Sequence, residues 1–326
     1  MGPPVEESKV ELFRTTNIDW LGKKWYFLSF SLIFSVAGVL SMAFWHHIPL
    51  GVDFRGGTQI RVSFASTPNE DHIRKALDEA GVRGYTIQRI SDNTGKLAND
   101  EIIALPESTS TDQAHDQGRE AVENALNANY HDSTSTIQQV DIVGPTAGKL
   151  LQHQAAWATI YSLIGMLVYL WFRFELIYGV AAVVAVFHDT LITVGAFSLT
   201  NQEITLTVIA AILTLIGYSM NDTIVVFDRI RENLASNRRE SLSDVVNRSI
   251  NQTLSRTVIS SGLTFLTVLS LYLFGGEVLH GFSFALVIGI LIGTYSSIAV
   301  AAPMLVAYQD WRASRGKRAS LPAAKR

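Results

Sequence analysis

Asp222 lies within Gly217–Glu232, GYSMNDTIVVFDRIRE, directly after the apolar run Leu206–Ile216, which only Thr207 and Thr214 interrupt. A carboxylate at that depth sits inside a bilayer, costs about 2.5–3.5 kcal/mol on insertion scales, and is a functional-site hypothesis by default. His188 and Asp189 lie well inside a second apolar run, and Arg256 opens a third. Together these residue types can hold and pass a proton. Histidine titrates near neutrality. Burial opposes the charged form of a carboxylate, and a neighbouring cation favours it. The plain structural alternative is a polar contact between helices. For His188 and Asp189, position alone does not choose between a relay and a hydrogen bond to a neighbouring helix.

Hydroxyl residues accompany the two charges of opposite sign. Thr207, Thr214, Tyr218 and Asp222 are spaced 7, 4 and 4 apart, which keeps them on one side of a helix. Arg256, Ser260, Thr264 and Thr267 do the same on the next apolar segment. Such stripes can be packing seams. Two of them, each ending in a charge, fit a wettable path better. Asp222 is the expected carrier, Arg256 its charge partner, and His188 and Asp189 secondary members.

Enzyme chemistry is not supported, because covalent catalysis needs a nucleophile beside a base and no such pair is visible. With no cysteine in 326 residues, disulfides and thiolate metal sites are excluded. No cofactor is implied. His46-His47, beside a membrane exit, read as interfacial rather than metal-binding. A net charge of −3 implies no nucleic-acid partner.

The elements that must position these residues are membrane spans. A run of about 20 apolar residues crosses a bilayer, and six are read: Trp25–Trp45, His153–Phe172, Leu176–Leu199, Ile204–Phe227, Thr257–Phe274 and Phe282–Tyr308. The first is too long for a signal core and lacks a small-x-small cleavage site, so it reads as an uncleaved anchor. Asp228, Arg229, Arg231 and Glu232 mark the exit of the fourth span into water. Between it and the fifth, Ser241–Leu254 reads as a short amphipathic helix with a capping-box-like start, turning the chain into the fifth span. Gly289-x-x-x-Gly293 with Ser296 gives the sixth a close-packing face.

Lysine and arginine set the orientation. Lys9, Arg14, Lys23 and Lys24 precede the first span, Arg173 follows the second, and Arg229, Arg231, Arg238, Arg239 and Arg248 follow the fourth. Arg312, Arg315, Lys317 and Arg318 follow the sixth, whereas Thr200–Glu203 and Gly275–Gly281 carry no basic residue. Both termini are therefore expected on the cytoplasmic side. The resulting layout is a cytoplasmic segment (1–24), a first span (25–45), an external domain (46–152), five further spans (153–308) with a cytoplasmic loop at 228–256, and a basic tail (309–326) able to meet anionic lipid. Leu12–Trp20 reads as a short amphipathic piece at the interface.

The external segment has the size of a separate domain. Thr58–Ala65 alternates like a strand, Pro68–Ala80 reads as a helix stopped by Gly81, and Tyr85–Ile90 is a short strand. Ser91–Gly95 is turn chemistry and Glu101–Leu105 a return strand. Thr111–Tyr130 is a helix with Ala114, Ala121, Val122, Ala125 and Leu126 on one side. Thr136–Val143, closed by Gly144-Pro145, is a last strand. The fold class is thus a six-span helical membrane protein carrying an α+β domain of ferredoxin-like β-α-β-β-α-β order.

Several stretches carry a resemblance: Gly51–Thr58 (GVDFRGGT), His188-Asp189, Gly217–Glu232, Arg256–Gly262 (RTVISSG) and Tyr272–Gly276 (YLFGG). In this order, and over nearly the whole chain, it resembles the SecD/SecF family of bacterial protein-export membrane proteins, within the resistance–nodulation–division superfamily. The resemblance implies that this chain is one six-helix half, with SecD as the other, in the bacterial inner membrane. It implies association with SecYEG and YajC, action on preproteins after SecA, and use of the proton gradient, with Asp222 and Arg256 on the proton path. Gly51, Asp53, Phe54, Gly56 and Gly57 belong to the family signature, whose glycines would allow a tight turn from membrane to strand. One alternative is half of a proton-driven small-molecule or lipid transporter of the same superfamily. Another is a passive scaffold needing neither Asp222 nor Arg256. Fold alone does not choose.

Overall fold

The computed structural model describes residues 16–89, 99–105, 112–173, 176–236 and 240–319. The first fifteen residues, Ile90, the expected Ser91–Gly95 turn, Thr111, Arg238, Arg239 and the tail beyond Ala319 lie outside the described residues, as does the side chain of Ala114.

Among the described residues, six helices are long and apolar enough to cross a membrane. They are α1 (Lys24–Leu40, prolonged by a wide turn Ser41–Trp45), α5 (Pro145–Arg173), α6 (Leu176–Thr200), α7 (Leu206–Ser236), α8 (Leu242–Phe274) and α9 (Glu277–Ser296). A second wide turn, Ser297–Ala301, carries α9 into α10 (Ala302–Ala319), so that Arg312, Arg315, Lys317 and Arg318 continue the sixth span as helix.

Three boundaries differ from expectation. Helix α5 starts at Pro145 rather than His153, because a proline is preset for the first helical position and lacks only an N–H that would be unpaired there. The expected separate helix at Ser241–Leu254 is the first part of α8. No Gly or Pro interrupts Leu242–Arg256, and its buried face of Val245, Val246 and Ile250 runs on into Leu254, Thr257 and Ser261. Ser241 does cap it, its Oγ accepting from the Asp244 amide at 3.2 Å. The expected interfacial helix at Leu12–Trp20 is, over its described residues, an irregular strap. Ile18 N–H donates to Asn251 Oδ1, and Trp20 N–H to Asn247 Oδ1, each at 3.0 Å.

Small residues set the closest helix approaches. A Cβ on Gly38 of α1 would stand 2.9 Å from Gly195 Cα of α6. On Gly289 it would overlap the Leu215 side chain, and on Gly293 it would meet the Ser219 Cβ at 3.0 Å, so α9 presses on α7 through the glycines read as a packing face.

Between α1 and α5 the chain forms a short helix α2 (Val52–Arg55) and then β1 (Gly57–Phe64), α3 (Glu70–Glu79), β2 (Thr86–Arg89), β3 (Asp100–Leu105), α4 (Asp112–Asn129) and β4 (Ser135–Val143). The sheet order is β2-β3-β1-β4, every pair antiparallel. Strand β1 alternates as its sequence does: Ile60, Val62 and Phe64 join Ile73, Leu77, Ile103, Val122 and Leu126 in a core of their own. Its other face, with Gln59 and Arg61, looks toward the near end of the bundle across a cavity of about 790 Å3.

Candidate functional site

Asp189 is buried because α6 turns one face inward: Ala182, Ala185, Val186 and Asp189 recur at helical spacing and all are nearly inaccessible. The bundle receives this carboxylate with donors from two other helices. Ser219 of α7 donates to Oδ2 at 2.6 Å and Ser296 of α9 at 2.8 Å. Oδ1 meets the His188 ring Nδ1 at 3.0 Å. His188 Nε2 is buried with no hydrogen-bond partner among the described residues.

Asp222 is 2% exposed. It shares the inward face of α7 with Leu215, Ser219 and Val226. Ser261 of α8 donates to its Oδ2 at 2.6 Å, and Thr294 of α9 stands 3.5 Å from the same oxygen. Arg256 is exposed and makes no ion pair or hydrogen bond among the described residues; its charge reaches Asp222 only through space. It lies five residues before Ser261, about 7.5 Å along the axis at 1.5 Å per residue. Between the two, the buried Thr257 hydroxyl has no hydrogen-bond partner among the described residues.

No hydrogen bond among the described residues joins the two carboxylates, but two helices link them. Ser219 and Asp222 are neighbours on the inner face of α7. On α9, Thr294 faces Asp222 and Ser296 faces Asp189, while Ser297 meets Thr223 at 2.9 Å. Ser297 opens the wide turn of the sixth span, a local π geometry frequent at functional sites.

The residues of the expected polar stripes do not share one buried face. Thr207 and Thr214 are exposed, Tyr218 is half-buried, and only Asp222 is buried. Two successive four-residue steps overshoot a 3.6-residue turn by about 40° each, so the stripe winds off the inner face. Thr214, Ser260 and Thr264 each donate back to a carbonyl of their own helix, at 2.8, 3.2 and 3.0 Å. Sequence reasoning missed Ser261, Ser219 and Thr294. Extending the buried apolar face of each helix, instead of joining polar residues alone, finds the first two.

The signature residues gather at the end of the bundle facing the α+β domain. Gly51 N–H donates to Ile204 O at 2.9 Å, and Ile204 N–H to Pro49 O at 2.6 Å. Asp53 Oδ2 accepts from the Leu206 amide at 2.8 Å, capping the first turn of α7. Phe54 is buried. Gly56 and Gly57 have φ of 74° and 129°, which glycine adopts freely, and lead into β1. His46, beside them, bonds Ser198 O through Nδ1 at 2.9 Å. Glu203, in the loop before α7, is held above the usual carboxylate range by burial, which Asp53 reinforces and Arg55 opposes.

A bundle of six apolar helices that buries two carboxylates, with an α+β domain inserted after the first, is a multi-pass membrane protein with a polar interior. The family model described as protein export membrane protein SecD/SecF, C-terminal, matches residues 122–311, and that of the SecD/SecF GG motif matches residues 47–68. The chain is 52% identical to a protein translocase subunit SecF of Koribacter versatilis, covering 96% of each. It is 40% identical to one of Calditerrivibrio nitroreducens, over 91% of this chain and 96% of that one. It belongs to the SecD/SecF family. Among solved structures it resembles SecDF of Thermus thermophilus, a translocon-associated membrane protein, with a TM-score of 0.80 and 34% identity over 90% of this chain. It spans 39% of that SecDF chain. Against SecDF in a super-membrane-facing form the TM-score is 0.67 at the same identity.

Proposed function

We propose that this chain is the SecF-type half of a Sec protein-export device, paired with SecD, that uses the proton gradient to assist preproteins through SecYEG. Asp222 carries the proposal. It is a nearly inaccessible carboxylate in the fourth span, held by one short hydroxyl hydrogen bond and one long one, with the charge of Arg256, which makes no ion pair among the described residues, acting on it. Neither protonation state is locked by its surroundings, so small shifts of α7 against α8 can exchange them. Asp222 acts as the carrier and Arg256 as its charge partner, with Thr257 and Ser261 between them. His188 and Asp189 hold the helices that frame the site.

The drive is sufficient in scale. Moving one charge through the membrane field supplies about 2.3 kcal/mol per 100 mV, and a tenfold shift of an equilibrium takes about 1.4 kcal/mol. One proton per cycle therefore biases a two-state motion of the α+β domain.

In this reading both termini are cytoplasmic, the membrane is the bacterial inner membrane, and the domain is periplasmic and of ferredoxin-like class, as the sheet order β2-β3-β1-β4 supports. SecA and YajC are functional neighbours. Preprotein translocation into inverted vesicles, with and without an uncoupler, tests the reading. Arg256→Met abolishes the uncoupler-sensitive stimulation, whereas Asp228→Asn, at an exposed helix position, leaves most of it. Equal effects of the two would reject it. Single cysteines at Ser91 and Ser236 in this cysteine-free chain test the orientation with an impermeant reagent on spheroplasts. Labelling at 236 but not at 91 would reverse it.

A further inference from the structure

The signature turn of the α+β domain bonds directly to the start of the helix carrying Asp222. The open sheet face is held off by the cavity, which Gln59, Arg61 and Gln139 line from the domain and Asn201 and Val278 from the bundle. Contact concentrates instead at the root, where β1 and β4 enter the bundle side by side with Gly57 opposite Val143. There Leu50 and Ile204 form a parallel bridge, and Asp53 caps α7. A Cβ on Gly51 would touch Thr205 Cγ2 at 3.1 Å, and one on Gly148 of α5 would touch Phe54 O at 3.0 Å. The turn is therefore wedged between the first turns of α5 and α7, with no room to slide.

We propose that Gly51–Thr58 is a mechanical joint, in which Asp53 is a positioning residue that fixes the first turn of α7 to the root of the α+β domain. A displacement of α7 then moves β1 and β4 together, through Gly56 and Gly57, without any contact across the cavity. Its use in export rests on the reading of Asp222 given above; the joint itself does not.

The test compares Asp53→Ala, which removes the cap, with Asp53→Asn, whose amide oxygen still accepts the Leu206 N–H. Both are made in the full chain co-purified with its SecD-type partner. In Asp53→Ala, amide exchange in the first turn of α7 rises roughly fivefold or more, the scale of a lost cap. The spin-label distance distribution between Gln139→Cys and Val278→Cys, across the cavity, broadens. Uncoupler-sensitive export stimulation falls by a similar factor. Asp53→Asn keeps all three close to the parent. Unchanged exchange or an unchanged distance distribution in Asp53→Ala overturns the joint, as does equal damage by the Asn variant. Faster exchange and broader distances with full stimulation overturn its role in export. If the parent shows no uncoupler-sensitive stimulation, the proton reading fails, and exchange and distances still decide the joint.

Discussion

Asp189 and Asp222 are both nearly inaccessible carboxylates in apolar helices, yet they are built differently. Asp189 has a partner on each oxygen, with donors from α7 and α9 at 2.6 and 2.8 Å and the His188 ring at 3.0 Å. Asp222 has one short donor at 2.6 Å, a second contact at 3.5 Å, and both on the same oxygen. Buried polar groups are costly when unpaired and specify a fixed arrangement when fully paired. The first site is thus a three-helix lock. The second takes its hydrogen bonds among the described residues on one oxygen, with Arg256, which makes no ion pair among them, within electrostatic reach, an arrangement that suits the proposed change of state. Burial alone does not distinguish these two carboxylates; the number and placement of their hydrogen-bond partners do.

Breaking the lock gives the largest effect. Asp189→Ala takes the carboxylate partner from the Ser219 hydroxyl and the His188 ring, leaves Ser296 only its bond to Gly293 O, and costs about 2–4 kcal/mol. The expected readout is a lower melting temperature of the detergent-purified chain and loss of partner co-purification. Unchanged stability would show that Asp189 is not the lock.

Removing one donor from each site sharpens the contrast. Ser219→Ala, at the lock, costs about 1 kcal/mol of stability and leaves uncoupler-sensitive export near the parent level. Ser261→Ala, at Asp222, changes stability by less than about 1 kcal/mol and reduces that stimulation several-fold. The reverse pattern would exchange the roles of the two carboxylates.

A third buried carboxylate supplies the smallest effect. Glu101 of β3 is inaccessible, and burial raises it above its ordinary value of 4.5, although Arg89 opposes the shift with a 3.0 Å ion pair. The folded domain therefore binds this proton more tightly than the unfolded chain. The stabilising contribution is full below 4.5 and is lost as pH rises through the folded value. With its own core, the domain expressed as residues 47–143 is expected to melt cooperatively. Its melting temperature should fall from pH 4.5 toward pH 7, less steeply in Glu101→Gln. Equal slopes would contradict the assignment.

Much of this was legible in the sequence because the signals are local. Apolar runs located six spans, the alternation of Ile60, Val62 and Phe64 marked β1, and the depth of Asp222 and Asp189 in their runs marked both carboxylates. Helix boundaries were less legible: in Thr146–Gln152 the pair Leu150-Leu151 stands beside Gly148 and Lys149, too weak a signal to place the start of α5, and Ser241–Leu254 reads as a separate helix because nothing local shows that it runs on into the fifth span. The pairing of the carboxylates was not legible, even where the apolar face points to Ser219 and Ser261. Which serine meets which aspartate depends on helix rotation, and one residue, Ser260 against Ser261, changes the facing direction by about 100°. The role of Asp53 was hidden because its partner, Leu206, lies on a span distant in sequence.

The central claim is that Asp222 is the carboxylate that changes protonation. Asp222→Asn is nearly isosteric and keeps an acceptor for Ser261. In preprotein translocation into inverted vesicles, it is expected to fold and co-purify with its SecD-type partner as the parent does. It is also expected to lose the uncoupler-sensitive part of export. Full uncoupler-sensitive stimulation in Asp222→Asn vesicles would make Asp222 a structural residue like Asp189 and contradict the account.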